Sequence, residues 1–340
     1  MIELSKRMRA VADLVPAGSV AADIGCDHGF VSIYLIQRQI CSAVYAADVR
    51  PGPLSRAKEH IEREGLADRI TTVLSDGLKE VPVRLRGDFQ HPAGIEGAVN
   101  EQDTDSVQHA GGPYDADGIH AGGPCGTDGI HVGGPCGADG IHAGGPCGAD
   151  GMLAAGMGGK LMIRILSDVP EKTQELEWVV LEPQSEVWLV RRWLWEHGFV
   201  VIKEKLVFEE GKYYPVMLAL NCRKKMQGLD QSSDDTAAKS VGEALEKQEK
   251  IRQAMLASCF SEEEAEFACD WLGGQLILQK DAVLKDFLNH TIENDCKVLD
   301  GMPDVSVQEE KTEKELRIEA RRKEIQKRLD LSARVLKLME

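Results

Sequence analysis

The chain lacks any run of 18 apolar residues among its 340, so no membrane-spanning helix is expected. Its opening stretch, MIELSKRMRAVADLVP, is charged and amphipathic and lacks the apolar centre of a secretory signal. Its nine cysteines are odd in number and follow no disulfide framework, which points to reduced thiols and a cytoplasmic location. The dinucleotide pattern GxGxxG is missing, because Gly25 has no second and third partner at the required spacing; this disfavours a nicotinamide-dependent oxidoreductase. Cations are short as well. The net charge of −16 argues against a nucleic-acid partner taken at face value. The deficit is local, however. Residues 87–150 hold ten Asp/Glu and no Lys or Arg, whereas residues 1–86 hold 12 Lys/Arg against 11 Asp/Glu. The N-terminal part is thus near neutral and has room for a basic patch.

What is present is an alternation of apolar strands and amphipathic helices. Residues 4–15 read as a helix with Leu4, Met8, Val11 and Leu14 on one face. SVAADIG (19–25), AVYAADV (43–49) and ITTVLSDG (70–77) read as strands, separated by helices over 28–38 and 53–64. That order predicts a parallel sheet covered on both faces. The pattern resumes at DGMLAAGMGG (150–159), a strand running into a glycine turn, followed by a helix over 159–167. A fifth strand at 176–184, a helix at 187–198 ending at Gly198, and a hairpin over 199–220 turning at Glu210-Gly211 complete it. The expected fold is α/β, a Rossmann-like sheet of seven mostly parallel strands closed by an antiparallel hairpin. From 235 the chain reads as helices: one or two over 262–293, a polar connector at 294–308, and a long charged helix over 309–339. That last helix carries a stripe of Ile318, Ile325, Leu329 and Leu336.

Between the two halves of the sheet lies an insert, 87–149. Units of the form DGIHAGGPCG start at Asp117, Asp128 and Asp139, a period of 11 residues. Each unit has one large apolar residue, too little to offset the entropy of ordering it, so disorder is expected. His120, His131 and His142 each precede Cys125, Cys136 and Cys147 by five residues. Zinc spacing is different, and tandem expansion alone accounts for the pattern, so no metal is expected. The domain reading is therefore 1–86 with 150–225 for the sheet, 87–149 for the insert, and 235–340 for a helical region.

The candidate chemistry lies at successive strand ends. In ADIGCDHG (22–29) the chain leaves a buried strand at Asp23, turns at Gly25 and enters a helix. The helix N-terminus offers N–H groups to a carboxylate, and Asp23 could meet an amino group on the same ligand. Asp48 closes the second strand 23 residues after Gly25, the spacing of an acid that accepts from both ribose hydroxyls. Asp76, in SDG, could accept from an adenine's exocyclic amine. At AAGMGG (154–159), Gly156 and Met157 form a shallow, backbone-lined wall.

These blocks, together with LSKRM (4–8), DIGCDHG (23–29), GPLSRA (52–57), SDGL (75–78), AGMGG (155–159), EPQ (182–184), RRWL (191–194) and GKYY (211–214), resemble the ordered motifs of the bacterial tRNA (adenine-22-N1)-methyltransferase family, often called TrmK. The resemblance covers about residues 3–86 and 150–220. A helical, coiled-coil-like C-terminal region is also a family trait. The resemblance implies S-adenosyl-L-methionine (SAM) as cofactor, tRNA as partner, and 1-methyladenosine as product. It implies a cofactor site lined by Asp23, Gly25, Asp27, His28, Asp48, Asp76, Gly77, Ala155 and Gly156. It places Gly156 and Met157 beside the transferred methyl, with Asp27 and Arg7 among the catalytic candidates. Cys26 stands where the family more often has Ser or Thr, Asp48 where it commonly has Glu, and the insert has no counterpart there. No obligate protein partner is expected.

Adenine N1 carries an in-plane lone pair and needs no strong base, so positioning supplies most of the acceleration. N1 lies on the Watson–Crick edge, so the base must first be exposed. Lys6, Arg7, Arg9, Arg50 and Lys160 are candidate phosphate contacts. Two alternatives remain open on sequence alone: a methyltransferase of the same fold acting on another RNA, a protein or a small molecule, and a non-catalytic binding protein of that fold.

Overall fold

A computed structural model of the protein describes residues 2–84, 141–142, 145–146, 148–222, 236–303 and 312–340. Seven strands form one sheet: β1 (Ser19–Ile24), β2 (Cys41–Asp48), β3 (Ile70–Leu74), β4 (Gly151–Met157), β5 (Trp178–Pro183), β6 (Phe199–Glu209) and β7 (Lys212–Asn221), in the order β3-β2-β1-β4-β5-β7-β6. The first five pair in parallel, while β7 runs antiparallel to both β5 and β6. Every residue of β1 and β5 is buried, as strands covered on both faces must be.

Helices α1 (Lys6–Leu14), α2 (Phe30–Gln37) and α3 (Pro51–Arg63) pack on one face around Val11, Ile33, Leu35, Val44 and Ile61. Helices α4 (Gly159–Asp168), α5 (Pro170–Glu175) and α6 (Val187–Glu196) cover the other, around Met152, Met162, Leu166, Leu181 and Leu194. Ser5 caps α1 by accepting from the Met8 N–H at 3.3 Å. The short α5 was not expected from the sequence; Pro170 at its first turn starts it.

The insert leaves and re-enters at one point. Val83 bridges Ala149, Arg84 N–H donates to the Ala149 carbonyl at 3.0 Å, and Ala149 N–H donates to the Pro82 carbonyl at 2.9 Å. Asp150 then accepts from Val20 N–H at 2.7 Å and pairs with Arg84. All of this is at the start of β1 and β4, the amino edge of the sheet. Disorder was expected over 87–149; residues 87–140, 143–144 and 147 of that span, with His120, His131, Cys125, Cys136 and Cys147, lie outside the described residues, whereas Ala149 is buried and paired. Of the repeats, Ile141–His142 and Gly145–Pro146 are described as a short antiparallel pair.

The C-terminal region consists of α7 (Thr236–Ala257), α8 (Glu262–Ala268), α9 (Gly274–Leu278), α10 (Ala282–Gly301) and α11 (Glu313–Leu338). Two features differ from the sequence reading. A five-residue π-helical turn, Cys269–Gly273, separates α8 from α9. Arg191 reaches across from α6 to donate to the carbonyls of Asp270 (2.6 Å) and Trp271 (2.8 Å), satisfying groups that the wide turn frees. The connector also begins later than 294, because α10 continues to Gly301. Its polar residue Asp295 is buried against Arg328 of the antiparallel α11, and Arg322 donates to the Met302 carbonyl at 2.8 Å. Of the expected stripe, Ile325 is fully buried, and the core seam continues through Leu331, Val335 and Met339.

Candidate active site

The strand order reverses between β1 and β4, which opens a crevice at their carboxyl ends, where open parallel sheets take ligands. Most of the expected residues converge there. After β1 the chain turns through Gly25 (φ 76°), Asp27 (φ 49°) and Gly29 (φ 73°) before α2. Gly25 and Cys26 both donate their N–H to the Ala47 carbonyl, at 2.8 and 3.0 Å. A Cβ on Gly25 would lie 3.0 Å from Met157 Cε, so the β1 turn and the β4 end face each other across a space a larger residue would fill.

Asp48 is buried at the end of β2. Its carboxylate accepts from Asp27 N–H at 3.3 Å and from Arg50 N–H at 2.8 Å, and Arg50 Nε lies 3.6 Å away. The turn after β1 and the acid closing β2 are thus joined through the Asp27 backbone amide. Asp23 is buried at the end of β1 and accepts from the Ser32 hydroxyl at 2.6 Å. Burial pushes its carboxyl up to about 6, against the Ser32 hydrogen bonds that lower it. Burial likewise pushes the Cys26 thiol far above its usual range, helped by the neighbouring carboxylates, which disfavours the thiolate. The Asp27 carboxylate is half exposed and 3.5 Å from the His28 ring, which stacks with Phe30 and His60.

Asp76 stands slightly apart. Its carboxylate is exposed, bonded to Lys79 Nζ at 2.7 Å and to Arg164 at 3.3 Å, and the Lys79 hydrogen bond holds it below the usual range. Gly77 (φ 67°) packs so closely on Ile165 that a Cβ would come within 2.8 Å.

At the end of β4, Ala155 pairs with Glu182 and Met157 with Pro183, leaving Gly156 (φ 77°) as a bulge between them. Gly156 N–H donates to Glu182 Oε2 at 2.7 Å. Arg7 of α1 donates to the same oxygen at 2.8 Å and lies 4.8 Å from the centre of the Tyr214 ring. Arg7 is therefore engaged inside the site, while Lys6 and Arg9 of the same helix face solvent. Lys160 is mostly exposed, 3.7 Å from Glu186.

Glu182, quoted only within the EPQ motif, and Ser32 were given no site role from the sequence. The available signal was a polar residue inside an apolar run, WVVLEP and FVSIYLI. A cavity of about 200 Å³ lies elsewhere, between α6, β6 and the C-terminal helices, lined by Arg191, Glu204, Arg252 and Asp270. No cluster of three metal-ligating side chains occurs among the described residues, and no described helix is long and apolar enough to cross a membrane.

The sheet order and its crevice define a Rossmann-like methyltransferase fold. The chain belongs to the methyltransferase-domain family, whose sequence profile matches residues 4–99 and 134–217, more than half of its length. It is 25% identical over 218 residues to the tRNA (adenine(22)-N(1))-methyltransferase of Bacillus subtilis, a match spanning 64% of this chain and 65% of that relative's length. The crystal structure of the B. subtilis M1A22 tRNA methyltransferase TrmK superposes with a TM-score of 0.60 at 21% identity, covering 99% of this chain and 100% of that one. The M. capricolum TrmK structure, in complex with S-adenosyl-homocysteine, superposes at 0.52 and 20% identity, covering 97% and 99%. Both share the fold.

The described residues fit SAM on two observations: the Gly25 turn, which a Cβ would close against Met157, and the buried Asp48 carboxylate, fixed by two amides at a strand end.

Proposed function

We propose that this protein methylates N1 of adenine 22 in tRNA, giving 1-methyladenosine. The observation that carries this reading is the glycine bulge at the end of β4. A Cβ on Gly156 would meet nothing nearer than Arg7 Nη1 at 3.6 Å and Gln184 Nε2 at 3.9 Å, so a flat base can approach a wall made of backbone and Met157. The similarity to the B. subtilis enzyme supports the choice of base and of tRNA.

SAM, when bound, supplies a methyl group on a sulfonium to the in-plane lone pair of N1. The protein's part is placement. The Gly25 turn, Asp23 and the start of α2 hold the amino-acid end; Asp27 and His28 line that turn. Asp48 accepts from the ribose hydroxyls. Asp76 and Gly77 flank the adenine, with Lys79 and Arg164 keeping Asp76 ionised. Ala155, Gly156 and Met157 face the reacting atoms. None of these groups takes a proton from N1, because the neutral ring nitrogen has none to lose, and alignment within the crevice carries the rate. Lys6 and Arg9 on α1, with Arg50 and Lys160 at the crevice rim, supply phosphate contacts, and the helices of 235–340 widen the grip on a folded RNA.

The test is mass spectrometry of nucleosides from unmodified tRNA incubated with the protein and SAM. A 1-methyladenosine signal mapping to position 22 is expected. Only N6-methyladenosine, or no methylated base, overturns the tRNA reading and leaves a methyltransferase of the same fold with another substrate.

A further inference from the structure

Glu182 is an acid placed where water does not reach it. It lies in β5, between β4 and β7, with no exposed surface. Burial pushes its carboxyl up, and Arg7 opposes the shift. Oε1 is buried and has no hydrogen-bond partner. A buried ion pair of this kind contributes little net stability compared with apolar residues of the same volume. Stability alone therefore gives no reason for an acid here.

The local backbone supplies one. Gly156 bulges out of the β4–β5 ladder, since Ala155 pairs with Glu182 and Met157 pairs with Pro183. A bulged residue loses its strand partner, and its amide needs another acceptor. The Glu182 side chain provides that acceptor at 2.7 Å. The same oxygen is fixed from the other side by Arg7, which packs against Tyr214 of β7. The bulge then directs Met157 toward Gly25, closing one side of the crevice. One backbone amide is thus held by a chain of contacts running from β5 through α1 to β7.

We propose that Glu182 is a positioning residue for methyl transfer: by accepting the Gly156 N–H and being braced by Arg7, it sets the β4 bulge and the place of Met157. This rests on the reading of the β4 end as the site of transfer. It makes the N-terminal helix part of the catalytic frame.

The full-length protein is labelled with [methyl-13C]methionine, and the Met157 methyl resonance is followed while S-adenosyl-homocysteine is added. In parallel, kcat and KM for SAM are measured on unmodified tRNA. Glu182→Ala is expected to lower kcat by about 10²-fold, the cost of a misplacement near 1 Å, with a much smaller change in KM. It is also expected to move the Met157 resonance and blunt its response to the ligand. Glu182→Gln keeps an acceptor oxygen for Gly156 and should recover part of both. Arg7→Gln, which leaves the acid in place, should shift Met157 in the same direction as Glu182→Ala. If Glu182→Ala is unfolded, the near-isosteric Glu182→Gln and Arg7→Gln carry the test. Wild-type kcat and an unchanged Met157 resonance in the folded variants overturn the proposal. If tRNA proves not to be a substrate, the Met157 response still decides the positioning role, so the two readings fail separately.

Discussion

Asp23 Oδ2 accepts the Ser32 hydroxyl at 2.6 Å across the turn from β1 to α2, and both side chains are buried. The hydrogen bond lowers the carboxyl's pKa but does not overcome desolvation, and the group stays near 6 instead of its ordinary 3.8. A raised acid costs stability once ionised. The cost is absent below about pH 4, grows as pH rises, and is complete above about pH 6, where a shift of this size corresponds to about 3 kcal/mol. Asp23→Asn should therefore raise stability at pH 7 by up to that amount and leave it unchanged at pH 3.5. Urea denaturation at the two pH values measures this. The same variant should bind SAM more weakly, and wild-type affinity should rise with pH through about 6, since a cationic amino group favours the ionised acid.

Asp48 should be the strongest single determinant of cofactor affinity. Asp48→Ala is expected to weaken SAM binding by about 1–3 kcal/mol in calorimetry. Because the carboxylate also fixes Asp27 and Arg50 through their amides, Asp48→Asn should recover only part of the loss.

Removal of residues 85–147, with a short glycine linker from Arg84 to Gly148, should leave the fold and SAM affinity intact. The flanks already bond to each other at the amino edge of the sheet, and loop length itself costs little. Circular dichroism and calorimetry of the deletion check it; an insoluble product would show that the repeats pack on the domain.

The C-terminal helices should depend on Arg191. Its guanidinium pairs with the buried Glu204 and also holds the π-helical turn. Arg191→Ala strands a buried carboxylate, a loss of about 3–5 kcal/mol. A Cβ on Gly273 would lie 2.2 Å from Glu204 Oε2, so Gly273→Ala should be destabilising too. Both are read by thermal unfolding, with limited proteolysis reporting release of residues 236–340.

Hydrophobic period and turn residues determined the elements of this protein. Short, turn-bounded apolar runs such as VAADI and WVVL read as buried strands, and the strand–helix alternation allows a parallel sheet with its crevice at the carboxyl edge. The acids at Asp23 and Asp48 were legible because they close those strands. Tertiary structure decided the rest. Residues 149 and 155 are close in sequence, but β4 carries the chain from the amino edge to the carboxyl edge between them, so the insert's attachment and the candidate site lie at opposite ends of one strand. The family resemblance marks Arg7 as a catalytic candidate, but the helical pattern does not name its partner, and only packing of α1 against β5 and β7 turns it inward to Glu182. The π-helical turn at Cys269–Gly273 has no periodic signature; it exists because Arg191, nearly 80 residues earlier, supplies donors for its carbonyls. Periodicity reports which face of a segment is apolar, whereas the partner of a buried charge depends on which distant segments the fold brings against it.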